Sequence, residues 1–151
     1  MAEKVNRTLH YKEKATQEEE HVLFEGINIE ASDKKMKKAT PFAFFIKDER
    51  HKVLGGIKGN SSYGCLHIEM LWVDPAFRKK GWGLELMHAA ENLGRKRKCT
   101  FASLATMDWQ SLDFYKGLGY DIEHIREGFD KDSKMYIFRK DLKFEPKKKV
   151  S

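Results

Sequence analysis

Leu71-Trp72-Val73-Asp74-Pro75-Ala76-Phe77-Arg78-Lys79-Lys80-Gly81-Trp82-Gly83-Leu84 is the stretch whose reading decides the fold. It predicts a strand ending at Val73-Asp74-Pro75, a basic turn interrupted by glycine, and a helix beginning near Leu84. A chain running from strand through such a turn into a helix makes an anion site. The first N–H groups of a helix lack intrahelical partners, and the helix dipole favours negative charge beside them. Gly81 and Gly83 carry no Cβ, so the backbone can approach a ligand closely. Arg78, Lys79 and Lys80 add attraction for phosphate. The expected ligand group is a pyrophosphate.

Two familiar pyrophosphate cradles do not fit. A dinucleotide fingerprint needs a third glycine where this chain has Leu86, and no Gly-Lys-Ser/Thr follows at P-loop spacing. What remains is Arg-x-x-Gly-x-Gly directly after Leu-x-Val-Asp-Pro. That pair resembles the acyl-CoA-binding motif of the GNAT superfamily of N-acyltransferases. Phe114-Tyr115-Lys116-Gly117-Leu118-Gly119-Tyr120 resembles the same family's Phe-Tyr-x-x-x-Gly-Phe signature.

The remainder of the chain is compatible with that resemblance. The 151 residues fit one domain, with a core over about residues 6–142 and a basic tail over 143–151. Ten phenylalanines and 40% hydrophobic residues support a globular fold, and a net charge of +6 suits an anionic ligand. Nucleic acid or a membrane surface would suit that charge equally. No apolar h-region opens the chain and no stretch reaches the length of a membrane span. Cys65 and Cys99 show no metal spacing and read as reduced core residues of an intracellular, cytoplasmic protein.

Patterning gives a weak first strand over Asn6–Glu13. A capping box at Thr16-Gln17-Glu18-Glu19 starts a helix burying Val22, Leu23, Gly26 and Ile27, followed by a mobile basic loop over Ser32–Lys38. A meander follows: Pro41–Lys47, buried on both faces, then Val53–Lys58, then Cys65–Val73. Asp48–Lys52 and Gly59–Gly64 form its turns, and Gly55-Gly56 hints at a bulge or tight approach. Leu86, Met87, Ala90 and Leu93 make a helical stripe closed by Gly94 and Arg95-Lys96-Arg97-Lys98. Cys99–Thr106 is a strand and Ser111–Leu118 a helix ended by Gly119. Tyr120–Ile125 and Lys134–Leu142 form a closing hairpin, before a Lys-rich tail that is expected to fray. The order is that of a mixed α/β sheet. The GNAT resemblance implies a central, mostly antiparallel sheet in which Cys65–Val73 and Cys99–Thr106 run parallel, with flanking helices.

The resemblance also implies roles. Leu71, Trp72 and Val73 would lie along the pantetheine of acetyl-CoA, with a backbone N–H polarising the thioester carbonyl. Arg78, Lys79, Lys80, Gly81, Trp82, Gly83 and Leu84 would take the pyrophosphate, and Tyr115 would return a proton to the departing thiolate. The acceptor would be a primary amine on a small molecule, such as a polyamine or an antibiotic, or on a protein. At pH 7 only about one alkylamine in a few thousand is neutral, so a general base is needed. Strand parity puts His67 and Glu69 on one face with Leu71 and Val73, opposite Leu66, Ile68, Met70 and Trp72. Glu69 is the preferred base, acting through water, with His67 in reserve. Trp109 and the loop 126–133 could wall a pocket for a cation.

Three positions depart from the family pattern: Asp108 and Ser111 replace an Asn and an Ala, and Gly117 replaces a basic residue, with Lys116 as a substitute CoA contact. No metal is implied; a homodimer through the terminal hairpin is a family-level expectation. Two other readings stay open: a basic nucleic-acid-binding module, drawing on Lys34–Lys38, Arg95–Lys98 and Lys147–Lys149, and a CoA-binding protein without turnover on the same scaffold.

Overall fold

The computed structural model of the chain describes residues 4–142, which form two compact units, 4–36 and 37–142. The basic tail and its Lys147–Lys149 cluster lie outside the described residues.

In the first unit, Asn6–Glu13 forms no strand, and Leu9 and Tyr11 are exposed. Two apolar side chains among Arg7, Thr8, His10 and Lys12 offer too little surface to anchor a ladder. Instead, Lys12 Nζ donates to both Glu19 oxygens, at 2.8 and 2.7 Å. Helix α1 (Gln17–Asp33) opens on the expected capping box. The Glu19 N–H donates to Thr16 Oγ1 at 3.1 Å, and the Thr16 N–H to Glu19 Oε1 at 2.8 Å. The hydrogen bonds from Lys12 and Thr16 hold the Glu19 carboxyl below its usual range. The expected inward face is corrected: Val22, Leu23 and Ile27 are exposed, and the least exposed line runs Phe24, Asn28, Ala31. Apolar residues occur on several sides of this helix, so periodicity alone could not select the inward one. The helix also takes in Ser32 and Asp33, which the sequence reading placed in a loop.

The second unit is a six-stranded sheet flanked by helices. Its strands are β1 (Thr40–Lys47), β2 (Val53–Ser62), β3 (Cys65–Val73), β4 (Phe101–Met107), β5 (Asp121–Arg126) and β6 (Met135–Asp141). Their spatial order is β1-β2-β3-β4-β6-β5, and every neighbouring pair is antiparallel except β3/β4. The expected sheet with one parallel pair is therefore present. Helix α2 (Trp82–Lys96) crosses from β3 to β4, and α3 (Leu112–Gly117) precedes β5. Leu86, Met87 and Ala90 of α2 are buried against Phe42, Ile57, Leu66, Ile68, Leu104 and Phe138. Each large side chain fully buried there contributes about 1.5–3 kcal/mol.

Several boundaries move for local reasons. Strand β1 is an edge strand with one wet face, so Phe45 is exposed while Phe42 is buried. The β2–β3 turn is only Tyr63-Gly64, both at positive φ (55° and 86°), which lets β2 run to Ser62. Gly94 does not stop α2 but lies within it: a Cβ there would sit 3.1 Å from Leu66 Cδ2, so the glycine sets how closely helix and sheet approach. Arg97, beyond the helix end, donates from Nη1 to the carbonyls of Thr40 (3.0 Å) and Pro41 (3.3 Å), fastening that end to the sheet edge.

One irregularity positions the site. The β2/β3 register passes from Lys58↔Met70 to Gly59↔Ile68, leaving Glu69 as an extra residue in a β-bulge. The bulge shifts side-chain parity. Leu71 and Val73 pack on the core with Leu66 and Ile68, not on the face of His67 and Glu69 as strict alternation predicted. Met70 and Trp72 point to the opposite face with His67. The bulge requires Gly59, where a Cβ would fall 1.9 Å from the His67 carbonyl oxygen. The tight approach expected at Gly55-Gly56 exists as well, at Gly56 against Phe45.

Candidate active site

The parallel ladder between β3 and β4 lasts only from Cys65↔Phe101 to Ile68↔Leu104. Beyond it both strands continue, β3 to Val73 and β4 to Met107, without pairing to each other. The sheet opens there, and the gap leads into a cavity of about 950 Å³. Leu71, Trp72 and Val73 form one wall, Thr106 the facing strand, and Phe114 and Tyr115 of α3 the far side. Phe77, Arg78, Lys79 and Gly81–Leu84 close one end. Leu71–Val73 pair with β2 along one edge and with no strand along the other.

The end at the α2 N-terminus gathers unpaired amides and cationic side chains. Asp74 accepts a 2.9 Å hydrogen bond from the Ala76 N–H and starts a short 3₁₀ turn, Pro75–Phe77. Arg78 Nε returns to the Val73 carbonyl at 2.8 Å, fixing the turn against the end of β3. Lys79 (φ 65°) and Gly81 (φ 81°) both take left-handed backbone and turn the chain sharply into the helix. The helix begins at Trp82, two residues before the expected start, and Glu85 to Gly81 is the first intrahelical bond. The N–H groups of Trp82, Gly83 and Leu84 therefore precede the ladder, at the positive end of the dipole. Gly83 meets Phe114 so closely that a Cβ would lie 3.3 Å from Cζ, drawing the helix start onto α3. Trp82 stacks on Phe77 with centroids 5.1 Å apart and planes 8° from parallel. A turn with free amides, two cationic side chains and a stacked aromatic pair fits a diphosphate carrying a nucleoside.

Tyr115 is partly buried among Phe114, Tyr120 and Phe138, at centroid distances of 5.1, 6.2 and 5.8 Å. Burial pushes its phenol above the ordinary tyrosine value, so it stays protonated throughout the working range.

The structure thus brings together Leu71, Trp72, Val73, Arg78, Lys79, Gly81, Trp82, Gly83, Leu84 and Tyr115. It does not bring Lys80, Lys116, His67 or Glu69 to the cavity wall. Lys80 Nζ instead lies 5.6 Å from the Phe77 ring centroid, and Lys116 is exposed. Glu69 stands on the outer face of the sheet, where Oε1 accepts from Asn60 Nδ2 at 3.1 Å and Oε2 lies 3.5 Å from Lys58 Nζ. His67 is exposed beside it.

Thr106 and Gln110 are wall residues that sequence reasoning missed. Gln110 Oε1 accepts from Thr106 Oγ1 and from the Met107 N–H, both at 2.8 Å, and holds the chain where β4 ends. The signal available was the polar run after β4, Asp108-Trp109-Gln110-Ser111, in which Trp109 and Ser111 also line the cavity. Asp108 does not line it: its carboxylate accepts from the Lys134 N–H at 3.0 Å. Among the described residues no cluster of three or more His, Cys, Asp or Glu could hold a metal ion, and no helix is long and apolar enough to cross a membrane.

The profile of the Acetyltransferase (GNAT) family matches residues 7–120. A blasticidin-S acetyltransferase of Streptomyces morookaense is 34% identical over 80 residues, 52% of this chain and 59% of that protein. Acetyltransferase Atu2258 of Agrobacterium fabrum is 33% identical over 75 residues, 50% and 55% of the two chains. The match thus spans less than two thirds of either curated relative. Among solved structures, an acetyltransferase from Bacillus cereus superposes with a TM-score of 0.70 at 28% identity, covering 87% of this chain and 97% of that one.

Proposed function

Since the chain belongs to the acetyltransferase (GNAT) family, we propose that it moves an acetyl group from acetyl-CoA to a primary amine by direct attack in a ternary complex. The proposed acceptor is a small-molecule amine of the antibiotic type. The observation that carries this reading is that the bare amides of Trp82–Leu84, the free edge of β3 and Tyr115 all open onto one cavity.

In this reading the diphosphate rests on the α2 N-terminus beside Arg78 and Lys79, and the pantetheine follows Leu71–Val73 as an added strand. The amine nitrogen attacks the thioester carbonyl, the C–N bond forms and the C–S bond breaks. The departing thiolate takes a proton from the Tyr115 phenol. A thiol near pKa 8.5 is the stronger acid of the two, so Tyr115 acts by being positioned and protonated rather than by acidity. Glu69, and His67 as the second candidate on the same face, stand outside the cavity wall. The amine's own proton would therefore reach either of them only through intervening water, and solvent returns a proton to Tyr115. An antibiotic-type acceptor is supported by the relative named for blasticidin-S.

Calorimetric titration with acetyl-CoA, followed by thiol release over a panel of antibiotic, polyamine and peptide amines, tests the proposal. Saturable donor binding and thiol release with a small amine are expected. No heat from acetyl-CoA, alongside steeply salt-dependent binding to DNA or RNA, would overturn it in favour of a nucleic-acid module.

A further inference from the structure

Resting on the acetyl-transfer reading above, we infer that Phe45, Gly56 and Trp72, aligned across β1, β2 and β3 beside the bulged Glu69, form a platform that selects amines carried on a flat unsaturated ring.

The register places the three in one row, Phe45↔Gly56↔Trp72. Their neighbours Phe44, Ile46, Leu71 and Val73 pack on the core, so the row itself points to the outer face. Phe45 and Trp72 are 54% and 50% exposed there, and Met70, one row along, 64%. Three large apolar side chains are thus exposed on neighbouring rows of one sheet face.

Gly56 gives that surface its shape. A Cβ at this position would lie 2.5 Å from Phe45 Cδ1 and 2.9 Å from Cε1. The Phe45 ring therefore lies down across the middle strand, over the glycine, rather than standing away from the sheet. A side chain at position 56 would lift it. The result is a low shelf running from Phe45 towards Trp72, and Trp72 also lines the donor cavity. A ring resting on the shelf is thus led to the opening where a thioester would lie.

The same face carries an acid beyond the Met70 and Lys58 row. Glu69, exposed to about two-fifths (38%), is held on this face by Asn60 and Lys58. A cationic amine can compete with Lys58 for Oε2, and its proton has a carboxylate nearby to leave to. A flat ring gains stacking on the shelf while its amine turns to Glu69. A linear polyamine has no π face to offer and gains only the charge.

The test compares acceptors of similar amine basicity: tryptamine and 2-phenylethylamine against n-hexylamine and spermidine. The aryl amines are expected to show kcat/KM at least tenfold higher. Phe45→Ala should raise KM for the aryl amines at least fivefold, and by more than it raises KM for n-hexylamine, while leaving KM for acetyl-CoA unchanged. Gly56→Ala, which displaces the same ring, should act in the same direction. Phe45→Leu, which keeps apolar bulk without the ring, guards against a folding defect and should also lose the aryl preference. Calorimetry of 2-phenylethylamine binding, with and without CoA, reads the platform independently of turnover. Binding that Phe45→Ala abolishes upholds the platform even if no acetyl transfer occurs. Equal use or equal binding of aryl and alkyl amines, with acetyl-CoA bound normally, overturns the platform and leaves the transferase reading standing.

Discussion

The phenol of Tyr120 donates a 2.8 Å hydrogen bond to Glu91 Oε2, and the carboxylate that receives it is only 1% exposed. Lys140 Nζ donates to the other oxygen at 2.9 Å, so α2, the connection between α3 and β5, and β6 meet at one buried carboxylate. A buried charge is tolerated only while its partners remain. Tyr120→Phe should therefore cost about 1.5–3 kcal/mol, the range for a hydrogen bond to a charged group. Lys140→Met should cost more, about 3–5 kcal/mol, because it leaves the carboxylate without its countercharge. Urea unfolding measures both, and a smaller loss in Lys140→Met than in Tyr120→Phe contradicts the ordering.

Alkaline pH should weaken the fold through two tyrosines. Burial pushes Tyr120 above the ordinary value, reinforced by the Glu91 charge and hydrogen bond, and burial alone raises Tyr115. Above pH about 10 the unfolded chain loses phenolic protons that the folded chain keeps. The folded state then binds more protons, so stability falls as pH rises. Below pH about 9 neither group contributes a slope. The Cys65 and Cys99 thiols, also pushed up by burial, add a shallower decline from about pH 8.5. Urea midpoints across pH 8–11 should therefore fall and then steepen above about 10, and Tyr115→Phe should steepen less than wild type.

Gly59 and Gly117 should respond oppositely to alanine. A Cβ at Gly59 would meet the His67 carbonyl oxygen at 1.9 Å, and backbone on both sides prevents easy relief. The loss should reach at least about 2 kcal/mol, the upper part of the range for overpacking, and the Glu69 bulge should be disturbed with it. At Gly117 a Cβ would have nothing within 4 Å, and the residue ends α3 at ordinary φ, so Gly117→Ala should be neutral or stabilise by about 0.4–1 kcal/mol. Thermal melts of the two variants decide the contrast.

The strands, the crossover helix and the anion turn were legible because each is written in local chemistry: Asp74-Pro75 before the turn, glycines at 81 and 83, and a stripe of Leu86, Met87 and Ala90. What escaped was set by pairing between distant residues. Glu69 bulges because Gly59, ten residues earlier, admits the His67 carbonyl, and alternation along β3 alone could not reveal that. Gly94 reads as a stop in sequence and acts as a packing position because Leu66 and Leu142 press on it. The first strand failed for the opposite reason: Leu9 and Tyr11 alternate, but nothing buries them. Tyr115 lines one cavity with Arg78, Lys79 and Gly81–Leu84, whereas Thr106 and Gln110 enter it because β4 parts from β3 after Leu104.

The role given to Tyr115 makes the sharpest kinetic forecast. Its ring is wedged among Phe114, Tyr120 and Phe138, so removing one hydroxyl should leave the packing in place. Tyr115→Phe should then keep acetyl-CoA affinity within about twofold while kcat falls about 10²–10⁴-fold, the usual scale for loss of a general acid. A thioester whose thiol has a lower pKa needs less protonation as it leaves, so the deficit should shrink when the donor's leaving group is made more acidic. If kcat is unchanged, or the deficit is the same for every leaving group, the thiolate finds its proton elsewhere and Tyr115 serves only to shape the cavity.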